Sequence, residues 1–97
     1  MQEVKRLLLD NPQHIINILQ DLEFYKIKKI HKEIVCGNSP EGSGSSIHIK
    51  LDENIMCKDF KYGDFGDIIS FLIKKRQLEF VDVLNIIKKE LNIESLS

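Results

Sequence analysis

The apolar residues of this chain change their spacing twice, and the changes divide it into three stretches. Val4, Leu7 and Leu8 stand at helical spacing and predict a short first helix over 1–10. Asn11-Pro12 is a restart signal, because Asn11 can cap a helix and Pro12 suits a first helical position. Ile15, Ile16, Ile18, Leu19 and Leu22 then mark a second, amphipathic helix. From Phe24 to Cys36 the period shortens. Ile27, Ile30 and Ile34 interleave with lysines, which predicts two short strands with a kink near His31 and Lys32. Ser46 to Leu51 alternates with period two, so Ile47, Ile49 and Leu51 share one strand face. Asp52-Glu53-Asn54 is a turn and Ile55 to Lys58 the returning strand, with His48, Lys50, Met56 or Lys58 outward.

Helical spacing then returns. Asp59 to Phe65 is an aromatic-rich connection, and Gly66-Asp67 opens a helix through Ile68, Ile69, Phe71, Leu72 and Ile73. Asp67 sits where the helix dipole favours a carboxylate, and Lys74-Lys75-Arg76 sit at the end that favours cations. Gln77-Leu78 breaks the run, and Phe80, Val83, Leu84, Ile87 and Leu91 define a last helix over about 79–91. The expected fold class is therefore α+β: a small antiparallel sheet with helices before it and two helices after it.

Composition narrows the function. Fifteen isoleucines supply most of the apolar mass, and 30% charged residues suit a well-solvated surface. A net charge of −1 argues against strong solitary nucleic-acid binding, because phosphate neutralisation normally supplies much of that affinity. Weak or shared contact stays open. No apolar run is long enough for a membrane span, and no basic-then-apolar leader opens the chain. Two cysteines in such a chain read as reduced thiols, so we expect a cytoplasmic protein.

The chemistry-bearing pattern is half of a metal site. Cys36 and Cys57 stand where a four-ligand zinc ribbon would begin each ligand pair, but positions 39 and 60 are Ser39 and Phe60. Two thiolates leave an ion half-coordinated. A rearranged site with His48 or His31 is the alternative, and strand parity makes His48 awkward for it. We therefore expect no metal and no other cofactor. The cysteines become small buried hydrophobes, with Phe60 filling the vacated space and Phe65 also in the core.

The Gly- and Ser-rich segment 37–46 is an exposed loop without the Walker ending that would hold a nucleotide. Its serines lack a His–carboxylate pair, so they are not nucleophiles. His14 reads as a surface residue with no partner to make it catalytic. Lys74-Lys75-Arg76 reads as a helix-end cluster more readily than a phosphate contact. Capping explains Asp64 and Asp67 better than magnesium does.

These pieces resemble the N-terminal zinc-binding domain of DnaG-type bacterial and phage primases. The likeness lies in Lys26-Ile27-Lys28-Lys29, Val35-Cys36, Ile55-Met56-Cys57, Gly66-Asp67-Ile68-Ile69-Ser70-Phe71 and Leu78-Glu79-Phe80-Val81. It spans roughly 15–93, about four fifths of the chain. The family's histidine falls on Ser39 and its fourth cysteine on Phe60. It implies one domain over 1–97: an N-terminal helix at 1–11, a primase zinc-domain-like core at 12–93 and a frayed tail at 94–97. It also implies a zinc-ribbon-like sheet without zinc.

In that family the domain helps hold single-stranded template and supports primer initiation, while the catalytic carboxylates lie in a separate domain. The implied function is a non-catalytic accessory subunit for DNA replication or primer synthesis. It would bind a DNA polymerase or primase catalytic chain and help it engage single-stranded DNA or the initiating nucleotide. Lys26, Lys28, Lys29, Lys50, Lys58 and Lys61 would follow the backbone, with Tyr62 or Phe65 as a stacking platform. The alternatives are a pure protein-interaction module, such as a phage or mobile-element inhibitor that mimics a primase domain, and a residual metal or redox sensor on Cys36 and Cys57.

Overall fold

The structure, a computed structural model, describes residues 2–93. Two helices, α1 (Gln2–Asp10) and α2 (Gln13–Asp21), precede a sheet of β1 (Tyr25–Ile30), β2 (Glu33–Gly37), β3 (Ile47–Lys50), β4 (Met56–Asp59) and β5 (Phe65–Asp67). Helices α3 (Ile68–Arg76) and α4 (Phe80–Leu91) follow. The five strands form an antiparallel meander in chain order. The α+β expectation therefore holds, and the expected tail at 94–97 lies outside the described residues. Among the described residues no helix is long and apolar enough to cross a membrane.

Local chemistry explains the element boundaries. The Asn11 side chain accepts from Gln13 N at 3.2 Å and starts α2. The expected kink at His31-Lys32 is the tight turn of the β1–β2 hairpin, with His31 at φ 54°. Asp67 caps α3 by accepting from Ser70 N at 2.9 Å. Gln77 ends α3 in the left-handed region, and Asp82 accepts from Glu79 N at 2.9 Å where α4 begins. The pattern of Asp59 to Phe65 predicts a connection only. Phe65–Asp67 instead adds a fifth strand, pairing Lys58 with Phe65 and Cys57 with Gly66.

The helices all lie on one face of the sheet. Ile34, Cys36, Ile47, Ile49 and Cys57 point inward to Leu8 of α1, Ile15, Ile18 and Leu19 of α2, Leu72 of α3 and Ile87 of α4. Each large apolar side chain buried there contributes about 1.5–3 kcal/mol, so the isoleucines carry much of the fold. Period-two geometry leaves His48, Lys50, Met56 and Lys58 on the other face, as expected, and places Glu33 there with them.

Polar ties fasten the helices at their ends. Lys5 of α1 donates to Asp67 at 2.8 Å, and its side chain is 8% exposed. His14, expected at the surface, is half-buried and tied to α4. Its Nδ1 lies 2.9 Å from Glu90 Oε2, and Asn17 donates to the same oxygen at 2.9 Å. The helix faces that bury Ile15 and Ile87 bring these side chains together across α2 and α4.

Burial pushes the Glu90 carboxyl up, but the His14 and Asn17 hydrogen bonds outweigh it and hold the group below its ordinary 4.5. A carboxylate lowered in the folded state adds stability that is complete above 4.5 and fades as pH falls through the folded value. Glu90→Gln should therefore flatten the acid limb of a stability–pH curve below about pH 4.5. An unchanged limb in urea melts would show that the tie contributes nothing.

Candidate nucleic-acid interface

The fold decides what the two cysteines can do. Cys36 on β2 and Cys57 on β4 both face the core, fully buried, with β3 between them. Strands two apart are about 9–10 Å from each other, too far for a disulfide. Burial pushes the Cys36 thiol up to about 12 and that of Cys57 well above its ordinary value. Both are inert protonated thiols, which disfavours the redox or metal sensor. Among the described residues no group of three or more His, Cys, Asp or Glu could hold a metal ion. Ser39 sits in the 37–46 loop, where its carbonyl accepts from Gly42 N at 3.3 Å.

Phe60 corrects the sequence reading. It does not fill a gap between the thiols: it is 61% exposed. In a metal knuckle the chain turns so that both ligands of a pair face the ion. Here the ladder continues past β4, and Phe60 N donates to Ser46 O at 2.7 Å. Alternation then sends Cys57 inward, Lys58 outward, Asp59 inward and Phe60 outward. Asp59, wholly buried, takes the inward place beside the sheet's end. An odd offset from Cys57 within a continuing strand was the signal that could have revealed this.

Asp59 receives Lys75 Nζ at 2.6 Å, and Asp64 Oδ2 receives the same ammonium at 3.0 Å. Lys74 reaches Asp64 Oδ1 at 2.8 Å. Asp59 Oδ1 also accepts from Lys61 N at 2.9 Å and Tyr62 N at 3.3 Å, which shapes the β4–β5 turn. The next residue, Arg76, donates to Leu22 O at 2.7 Å and to the Asn38 side chain, with its guanidinium 3.7 Å from the Phe24 ring centroid. Lys75 and Arg76 are thus internal staples and not phosphate contacts. They pin the loops that follow Cys36 and Cys57. Sequence reasoning missed this because a basic run at a helix end looks the same whether it points out or in.

The outer sheet face holds the exposed chemistry. In register across it lie Lys28, Val35, His48, Lys58 and Phe65. Phe65 is 67% exposed, so it too stands outside the core that the sequence predicts for it. Phe60 stands edge-on to His48, with centroids 5.0 Å apart, and Lys58 Nζ is 4.9 Å from the Phe60 centroid. His48, Lys50, Met56, Lys58, Phe60 and Phe65 line a shallow depression of about 340 Å³. Glu33 tempers its charge, with an oxygen 3.1 Å from His48 Nδ1.

The other lysines named from the sequence lie elsewhere. Lys26 clamps the 37–46 loop, donating to Gly42 O at 2.7 Å. Its side chain crosses Gly44 so closely that an added Cβ there would come within 2.6 Å of it, and Gly44 also needs φ +86°. Lys29 donates to His31 O at 2.8 Å, in the hairpin turn. Lys61 and the 63% exposed Tyr62 stand at the β4–β5 turn, with Lys61 and Lys75 ammonium groups 5.4 and 5.0 Å from the Tyr62 centroid. The fold therefore gathers Lys28, Lys50 and Lys58 on one face and sets Lys26, Lys29, Lys61 and Tyr62 outside it. No protein family, curated protein or solved structure matches the chain.

Proposed function

We propose that the outer sheet face takes single-stranded nucleic acid, and that the chain serves DNA replication or primer synthesis as a non-catalytic accessory subunit. One observation carries the reading: two phenylalanines stand exposed on a pleated surface between lysines, at Phe60 and Phe65 beside Lys50 and Lys58. Single strands are held by stacking bases on aromatic rings while cations follow the phosphates, without sequence preference. Neither ring is buried in the core, and that exposure favours a ligand.

The net charge of −1 limits solitary affinity. A polymerase or primase catalytic chain would supply the rest, which is the role that the primase-like residues imply. In that reading the sheet descends from a zinc ribbon whose metal has been replaced by the Lys75 and Arg76 staples and by apolar packing.

Salt dependence tests the contact. If Lys28, Lys50 and Lys58 meet phosphates, log affinity for an oligothymidylate should fall with log salt at a slope of about −2. Lys28→Glu with Lys50→Glu should weaken binding at least tenfold. Oligonucleotide binding that ignores both salt and these changes would remove the reading. A protein-only interaction module is the second reading, favoured by the low net charge and by exposed Phe80 and Val81 at the start of α4. It predicts capture of a replication protein that those lysine changes leave intact.

A further inference from the structure

Both ring nitrogens of His48 face acceptors. Nδ1 is 3.1 Å from Glu33 Oε1, and Nε2 is 3.1 Å from the Ser45 carbonyl oxygen. An ionised carboxylate and a carbonyl both only accept, and a neutral imidazole donates from one nitrogen alone. The neutral ring can satisfy either contact but sets a lone pair against the other oxygen. The ring with two protons satisfies both. We propose that His48 is a proton-linked positioning residue of the outer sheet face, so that single-stranded nucleic acid binds more tightly when the ring carries its second proton.

Geometry supplies two routes from that proton to the ligand. The first is charge. The ring stands among Lys58 in register on β4, Lys50 on its own strand, Glu33 on β2 and Asp52 in the following turn, with Lys28 beyond Val35. A bound polyanion adds negative charge beside the ring and so favours the doubly protonated form. The second route is position. His48 braces the Phe60 ring edge-on. It also holds the carbonyl of Ser45, whose neighbour Ser46 accepts the Phe60 backbone N–H. Losing the second proton frees one of the two anchors and loosens the platform.

The inference rests on the nucleic-acid reading, and the test separates the two. Oligothymidylate affinity of the full chain is measured at constant ionic strength from about pH 5 to about pH 8. Binding should tighten toward the acid end by roughly fivefold or more. His48→Gln should abolish the slope, while His31→Gln, remote on the β1–β2 turn, should keep it. Nitrogen NMR of the wild type guards against a misfolded variant. By reciprocity, adding oligothymidylate at constant pH must raise the doubly protonated share of His48. Binding with a flat pH profile, or a His48 ring that ignores the ligand, overturns the proton linkage and leaves the face reading intact. Absence of binding at every pH overturns both.

Discussion

Lys75→Met is expected to lower the unfolding free energy by about 3 kcal/mol or more. The change deletes the ammonium shared by Asp59 and Asp64. Asp59 is 0% exposed and the Lys75 side chain 6%, so the carboxylate would lose this partner with no water to replace it. That orphaned charge is why truncating one member of a buried pair costs far more than an exposed salt bridge contributes. In a domain this small the loss should lower the melting temperature by roughly 12 °C or more. Removing both charges, with Asp59→Asn and Lys75→Met together, should cost less than the two single losses added, because neither charge is then stranded. Circular-dichroism melts decide it, and a Lys75→Met protein that melts with wild type would show that the staple holds nothing.

The staple should also work across the whole neutral range. Burial pushes the Lys75 ammonium down, but its bonds to Asp59 and Asp64 outweigh this and hold it above its ordinary 10.5. Its contribution is complete below 10.5 and fades as pH rises through the folded value. Bonds from Lys74 and Lys75 hold Asp64 below its ordinary 3.8, so its contribution fades only as pH falls from there. Metal ribbons release their ion as their ligands protonate. The Lys75 staple should not share that sensitivity.

Phe60→Ala and Phe65→Ala should each weaken single-strand binding by about 1–3 kcal/mol, roughly fivefold to a hundredfold. Stability should barely move, because both rings are more than 60% exposed. Phe60→Ala forfeits its edge contact with His48 as well, a loss of about 1 kcal/mol at most. The contrast between affinity and stability is the decisive feature. A core phenylalanine such as Phe71, 2% exposed, should do the reverse on truncation and cost about 3–5 kcal/mol of fold. Unaltered oligonucleotide affinity in both outer-face variants would leave the aromatics without the role proposed for them.

Much of the fold was legible in particular residues. Ile47, His48, Ile49 and Lys50 alternate so plainly that their faces follow from parity, and both hold. Asp67 and Asn11 announced helix starts because capping is a contact within a few residues. The thiols were correctly assigned to the interior, since a strand that sends Ile34 inward sends Cys36 there too. The fifth strand was not legible. Phe65–Asp67 is three residues long with Gly66 in its middle, too short for a period to show. Phe60 was misplaced because metal-ligand spacing was followed there in preference to strand parity.

The local order along the chain thus settled which segments coil, which extend and which side chains enter the core, because those properties depend on neighbours two to four positions away. Folding alone decided that Lys75 and Arg76 turn inward, that His14 meets Glu90 across 76 positions, and that His48, Lys58, Phe60 and Phe65 share one open surface. Each of these joins groups distant in sequence. An ion pair or an exposed ring is defined by what stands opposite it, and no spacing rule along one strand of text carries that information.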